Sequence, residues 1–438
     1  MNEFSGTKRV GIIGAGIAGL AAAYDLTRQG CAVTIFEGAP VAGGLASGFK
    51  ADTWQWPLER FYHHLFTSDS DIIRLTQEIG CQDLLIFRRP ITSMWYQGKP
   101  YAFDSPLRLL AFPHLDWPNK FRMGFVFAYL RYVGKNWRAF EQTTSHAWLD
   151  RWMGPRGYNM LWRPMLEGKF GDHYQEVNLA WFWARIVKRS PRLGYFQGGF
   201  QAFVDALVAR VTAQGAVVHL DSRVTNVRPA ANRTLIVSHD RGEDTFDAVI
   251  ATVSPSQMAA LAPDLPAAYL GQLGQLKSMG AVVMTLALKH SLMQDTYWLN
   301  IPKAEGFPFL ALVEHTNYME TTHYGGDHII YLGDYLDPTH RYFSLSDQEL
   351  LAVFLPALAR INPDFRPDWV REAWVHKATY AQPVPPVNYS AMIPPLQTPI
   401  PGLFFASMSQ VYPWDRGTNY AVEIGRRVAQ QVQLSALN

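Results

Sequence analysis

Val10-Gly11-Ile12-Ile13-Gly14-Ala15-Gly16-Ile17-Ala18-Gly19, followed by an Ala-rich run from Leu20 to Gln29 and then by Ala32-Val33-Thr34-Ile35-Phe36-Glu37, decides the fold of this 438-residue chain. The pattern reads as a short buried strand, a tight glycine turn, a helix stopped at Gly30 and a second strand ending in an acid. Each glycine has its own task. Gly14 permits the turn, Gly16 lets backbone approach a pyrophosphate, and Gly19 lets helix and strand pack closely. The helix start at Ile17 and Ala18 then offers free N–H groups to phosphate charge, while Glu37 is spaced to accept hydrogen bonds from ribose hydroxyls. The prediction is a dinucleotide site on a Rossmann-like α/β unit.

The glycine theme continues past the acid in Val41-Ala42-Gly43-Gly44-Leu45-Ala46-Ser47-Gly48-Phe49. This resembles the extended motif of FAD enzymes in the amine oxidase and protoporphyrinogen oxidase superfamily, which also holds the phytoene desaturases and, more distantly, UDP-galactopyranose mutase. The resemblance implies FAD, bound by Gly14, Gly16, Ile17, Ala18, Gly19, Glu37, Gly43, Gly44 and Leu45. It further implies that the chain returns twice to the nucleotide domain. The stretch from Gly198 to Thr252 fits the first return, with Val224 where relatives set backbone against the adenine. Gly402 to Gln430 fits the second, with Trp414, Thr418, Asn419 and Tyr420 near the flavin. Two departures stand out: relatives place an Arg soon after the acid, where this chain has Gly38-Ala39-Pro40, and a Gly-Asp pair after the last strand, where it has Ala406-Ser407-Met408-Ser409. The expected architecture is a discontinuous FAD domain of residues 1–85, 196–255 and 401–438, with an α+β substrate domain of residues 86–195 and 256–400. Within the latter, 105–195 reads as mostly helical and rich in Trp and Arg.

Composition bounds the partners. Apolar residues make up 48% and charged residues 17%, which favours packed cores over disorder, and a net charge of +2 argues against a general nucleic-acid binder. Two cysteines, Cys31 and Cys81, support neither a disulfide framework nor a multi-cysteine metal site, so no metal is expected and a reducing cytoplasm is. The polar start at Met1 to Val10 lacks a secretory pattern, and basic residues interrupt every apolar run before it reaches spanning length.

The average charge hides a local feature. Residues 117–192 hold seven of the 14 tryptophans and 13 Lys+Arg against five acids. Trp beside Arg and Lys suits an aromatic-walled pocket for an anionic substrate, a membrane-surface face, or snorkelling cations around a buried core. Arg163, Lys169 and Arg185 are the substrate-binding candidates, for a small-molecule or lipid-like substrate with an apolar body. Peripheral contact with the inner membrane face stays open. The catalytic candidates are His63 and His64, in a Phe61-Tyr62-His63-His64-Leu65-Phe66-Thr67 run similar to a stretch of UDP-galactopyranose mutases; Glu314 and Asn317 after an apolar strand; and Arg416 before the last helix. If the histidine run is extended, its side chains alternate, and at most one of the two faces the flavin. The resemblance implies an FAD-dependent oxidoreductase taking hydride from a C–H bond, with a redox-neutral sugar mutase and a non-catalytic flavin-fold binding protein as the rival readings.

Overall fold

Five parallel strands carry the nucleotide motif, in the order Val217–His219, Ala32–Phe36, Arg9–Ile13, Ala248–Ala251 and Leu403–Phe405. The computed structural model describes residues 7–435; residues 1–6, which include most of the polar start, and residues 436–438 lie outside it. Arg9–Ile13 is central, and the chain leaves it to one side for Ala32–Phe36 and is flanked on the other by Ala248–Ala251. This is the point where strand order reverses, and it opens a crevice at the carboxyl end of Ile13. Residues 10–13 are buried because helices cover the sheet, which is why the strand reads as a continuous apolar run. Helix Ile17–Arg28 buries Leu20, Ala21, Ala22, Ala23 and Leu26 completely. The alanines permit a close neighbour: a Cβ on Gly425 of helix Thr418–Leu434 would lie 2.3 Å from the Ala18 carbonyl oxygen. The antiparallel meander Val224–Pro229, Leu235–His239 and Gly242–Phe246 packs with Ile13, Phe36 and Val249 into one core.

A seven-stranded mixed sheet forms the second layer, in the order Val370–Pro383, Ser278–Leu288, His328–Leu336, Ala311–Glu314, Thr296–Asn300, Ile91–Tyr96 and Lys99–Ala102. Its longest inner strand separates its two faces by residue parity. Val282, Met284, Leu286 and Leu288 enter the core under helix Asp347–Ile361, while Val283 and Ala287 join the core shared with the nucleotide sheet. A small sheet of Leu65–Phe66, Leu193–Phe196 and Leu85–Arg88 ties the two layers together. Residues 106–188 form a run of short helices and build their own core from Met123, Leu149, Tyr158, Phe170, Trp181 and Phe182.

One expected boundary moves. Helices Pro255–Leu261 and Ala267–Gly274 were assigned to the substrate domain, yet Met258, Leu265, Tyr269 and Leu273 pack with Ile13, Phe36 and Leu403. Tyr389 and Ile400 share that core, so residues 256–276 and 389–400 sit on the nucleotide side. Sequence order places them between substrate-domain segments, and only packing assigns them.

Candidate functional site: a dinucleotide crevice and a cationic cavity

The three motif glycines are separated by what surrounds them. Gly14 has φ +100°, a region that favours glycine, and a Cβ on Gly19 would come 2.1 Å from the Gly14 carbonyl oxygen. Both are needed by the protein's own packing. Gly16 differs, because a Cβ there would meet nothing within 4 Å. Its bareness serves something outside the chain. The helix beginning at Ile17 has no side-chain cap on Gly16, so its first N–H groups are available for phosphate oxygens. Glu37 lies at the end of the second strand with its carboxylate accepting from Ala15 N (2.8 Å) and Ala39 N (2.9 Å). Gly43 donates its N–H to the Ala15 carbonyl (2.9 Å), and Gly44 and Leu45 begin a short helical turn beside Gly16. The turn before Val224 reaches the same place, with Ser222 N bonded to the Glu37 carbonyl (2.8 Å) and Asp221 N to the Ala39 carbonyl (3.1 Å). This donor set and the open space at Gly16 fit FAD.

The loop after the last strand explains one departure from the family pattern. Tyr380 bonds through its hydroxyl to Ser407 Oγ (2.8 Å) and Ser409 Oγ (2.7 Å), and accepts from Ser409 N (2.9 Å). Gln410 Oε1 accepts from Ser407 N (2.7 Å), while its Nε2 donates to the Phe405 and Pro394 carbonyls. Hydroxyls and an amide thus hold this loop, at the place where relatives carry a Gly-Asp pair.

Between the layers lies a cavity of 310 Å³, bordered by residues from the stretches 62–64, 161–162, 164–165, 168–169, 184–185, 188–189, 298, 300–302, 333–335 and 415–420. Five cations reach its wall: Lys169, Arg185, Lys188, Arg189 and Arg416. Arg185, Lys188 and Arg189 stand at i, i+3 and i+4 around the end of helix Leu179–Lys188, and so share one side. Asp415 holds the centre of the group, accepting from Arg185 (2.5 Å) and Trp181 Nε1 (2.9 Å) with Lys169 Nζ at 3.5 Å. Burial pushes the Asp415 carboxyl up, but Lys169, Arg185 and the Trp181 hydrogen bond outweigh it and hold the group below its ordinary value. Burial pushes the Lys169 ammonium the other way, against the pull of Asp415. Arg416 bonds to Gln382 Oε1 (2.9 Å) and to the Tyr335 hydroxyl; burial lowers it to about 10, which leaves it charged at neutral pH. Of the other two carboxyls at the wall, Asp69 is raised by burial to about 6 and stays mostly ionised at neutral pH, while burial raises Asp334 well above its usual range, so the cations still outnumber the anions. The cavity is therefore electropositive at neutral pH.

Both histidines border this cavity. Leu65–Phe66 is the strand here, and the histidines precede it in irregular backbone, so strict alternation does not apply. His63 Nδ1 bonds to the Phe61 carbonyl, which can only accept, so Nε2 keeps the lone pair. His64 Nδ1 is buried without a partner. Burial lowers His63 to about 4 and His64 to about 3, so both are neutral at pH 7.

Thr418, Asn419 and Tyr420 border the cavity at the start of the last helix. Asn419 also accepts from Asp71 N (2.8 Å) and Ile72 N (3.2 Å), satisfying the first turn of helix Ser70–Glu78. Trp414 stands behind them, its ring between Trp183 (5.7 Å) and Tyr420 (6.1 Å) with Lys188 above it (4.4 Å).

Three candidates lie elsewhere. Glu314 is fully buried and accepts from Ser291 Oγ, Leu292 N and Met293 N, which fixes a turn rather than a substrate. Asn317 donates to the Met293 and Thr296 carbonyls of the same connection. Arg163 pairs with Glu167 (2.8 Å) on the exposed side of its helix, while its neighbours Trp162 and Pro164 border the cavity. Conversely the cavity also takes in Lys188, Arg189, Asp415, Tyr335 and Asp334. The helical spacing of 185, 188 and 189 was a usable signal; the approach of Tyr335 and Asp334 from a distant strand was not.

A parallel sheet with a glycine crevice at its switch point, joined by a cavity to a second mixed sheet, defines a dinucleotide-binding flavoprotein. The chain matches the family model for flavin containing amine oxidoreductases over residues 17–433 and belongs to that family, whose cofactor here is FAD. It is 35% identical over 200 residues to the mitochondrial protoporphyrinogen oxidase of Nicotiana tabacum, a match covering 44% of this chain and 38% of that protein. The chain thus spans well under half the length of this curated relative. Among solved structures, cyclohexylamine oxidase from Brevibacterium oxydans superposes with a TM-score of 0.73 at 16% identity, covering 99% of this chain and 100% of that one. A reduced UDP-galactopyranose mutase superposes with a TM-score of 0.75 at 14% identity, covering 99% and 96%. At such identities the likeness carries the fold.

Proposed function

We propose that this protein is an FAD-dependent oxidoreductase that oxidises a C–H bond of an amphipathic substrate with an anionic head. The observation that carries the reading is the convergence of five cations and one firmly ionised carboxylate on a cavity whose other walls include Tyr62, Phe66, Leu161, Trp162 and Trp298. FAD supplies the hydride acceptor at its N5 edge when bound. The chain's own residues bind, orient and exclude water. Arg185 and Lys169, preorganised by Asp415, would receive the anionic head, and the buried aromatic wall would hold the apolar body. Neutral His63 offers Nε2 as a proton acceptor, and burial keeps that nitrogen unprotonated across the physiological range. Family membership supports oxidation as the reaction.

A sugar mutase reading draws on the same cluster, since a diphosphate would seat on those cations equally well. Anaerobic mixing of the FAD-loaded protein with amphipathic anionic substrates separates the two. Loss of the oxidised-flavin absorption band on mixing is the expected result. Turnover seen only after dithionite reduction, without net flavin reduction by substrate, would overturn the proposal in favour of the mutase.

A further inference from the structure

Among the described residues, the exposed large apolar side chains gather between residues 107 and 152, with only Val217 and Leu434 apart from them. Exposure runs from 48% for Trp152 to 77% for Leu107, and six of these seven side chains are more than half exposed. Helix Trp117–Ala128 shows how the surface is made. Lys120, Met123 and Val126 face inward, while Trp117, Phe121 and Phe125 follow one another at i, i+4 and i+8 on the outer side. Tyr132 extends the row past the helix end.

Cations rim this patch. Residues 106–156 carry eight Lys+Arg against three acids. Asp116 caps the helix and pairs with Arg156, and Glu141 is buried under Ser390. Arg122 and Arg131 donate to backbone carbonyls of Trp152 and Ile186, which fixes the guanidinium groups at the rim without neutralising them. Lys135 and Arg138 stand exposed beyond them.

We propose that this face seats on the anionic surface of a phospholipid bilayer, with the Trp117-Phe121-Phe125 row at headgroup depth and the rim cations over lipid phosphates. Aromatic side chains flanked by Arg and Lys are the composition of membrane interfaces, and charge complementarity selects the occupant. A second copy of this chain is disfavoured, because isologous contact would bring the same cations together. The surface also communicates with the cavity. Phe127 and Met123, on the other side of that helix, contact Trp162, whose ring borders the cavity. An amphipathic ligand held in the lipid surface would therefore be separated from the cavity by one helix. The proposal stands on the surface alone and does not depend on the reaction.

The test is flotation of the FAD-loaded protein with vesicles of phosphatidylcholine alone or of an equal mixture with phosphatidylglycerol, at low and high salt. Expected is salt-sensitive flotation with the anionic vesicles only. F121S/F125S should reduce partitioning by about tenfold or more, and R131S/K135S by about tenfold at low salt. Flavin absorbance and circular dichroism should match the parent protein, which shows that the variants are folded. No association with anionic vesicles, or association unchanged in both variants, would overturn the proposal. So would a dimer in light scattering that dissociates in F121S/F125S, since the face would then be covered by a second copy.

Discussion

Asp415 is the residue on which the cavity's electrostatics turn, because its carboxylate pairs with Arg185 and, 3.5 Å from Lys169 Nζ, opposes the burial that pushes the Lys169 ammonium well below its ordinary value. Asp415→Asn keeps the Trp181 hydrogen bond but leaves two cations without a counter-charge. Removing one partner of a buried ion pair costs about 3–5 kcal/mol, so a urea midpoint well below that of the parent is expected. A variant as stable as the parent would mean that the cations are screened by water. The histidines make a different prediction. Because burial holds His63 and His64 neutral down to about 4 and 3, neither should contribute a titration to kcat/KM between pH 5 and 8. A step near pH 6.5 that disappears in His64→Gln would contradict that placement.

At the scale of elements, the glycines divide into those that shape the protein and one that serves its ligand. Gly16→Ala meets no protein atom, so apoprotein stability should stay within about 0.5 kcal/mol of the parent while flavin binding weakens. Gly425→Ala has the opposite profile. Its Cβ would sit 2.3 Å from the Ala18 carbonyl oxygen, so the two helices must separate, at a cost of about 1–3 kcal/mol. Thermal melts of apoprotein, together with flavin absorbance after reconstitution, read both outcomes. The first of these glycines was legible in the sequence, because Gly14, Gly16 and Gly19 fall at fixed places in a local strand-turn-helix. The second was not. Gly425 sits in an ordinary helical pattern, and its role follows from a helix more than 400 residues earlier in the chain.

For the whole molecule, buried titratable groups of both kinds oppose one another in pH dependence. Burial raises Glu59 and Glu314 to about 7, and it lowers His63 and His376 to about 4 and His64 and His315 to about 3. The native acids keep protons that the unfolded chain loses above about pH 4.5, so their contribution falls as pH rises toward 7. The native histidines refuse protons that the unfolded chain takes below about pH 6.5, so their contribution falls as pH drops toward 4 and 3. Between these limits the four histidines are opposed by Glu59 and Glu314 together with Asp69 and Asp334, which burial also raises, and the two slopes offset each other. Below about pH 4 His64 and His315 still act, and without opposition, until they protonate at about 3, so apoprotein stability should fall between about pH 4 and 3. Urea midpoints measured from pH 3 to 8 check this; a steady rise from pH 5 to 8 would show that these groups are not buried as described.

Local patterns determined the nucleotide half. The strand, the glycine turn, the helix and the acid at Glu37 are consecutive, and their spacing is dictated by the geometry of the helix and the strand. The sequence also located the helical, Trp-rich and basic segment, since composition needs no contacts to be read. Which of its cations matter was decided by tertiary structure. Arg163 faces outward to Glu167, whereas Lys169 and Arg185 meet Asp415, a residue some 230 positions away. Glu314 and Asn317 look like site residues in sequence because they are polar and follow an apolar strand, but the fold consumes them in a buried turn. Hydrogen-bonding capacity is a property of a side chain; whether a ligand or the protein's own backbone uses it depends on which distant segments pack beside it.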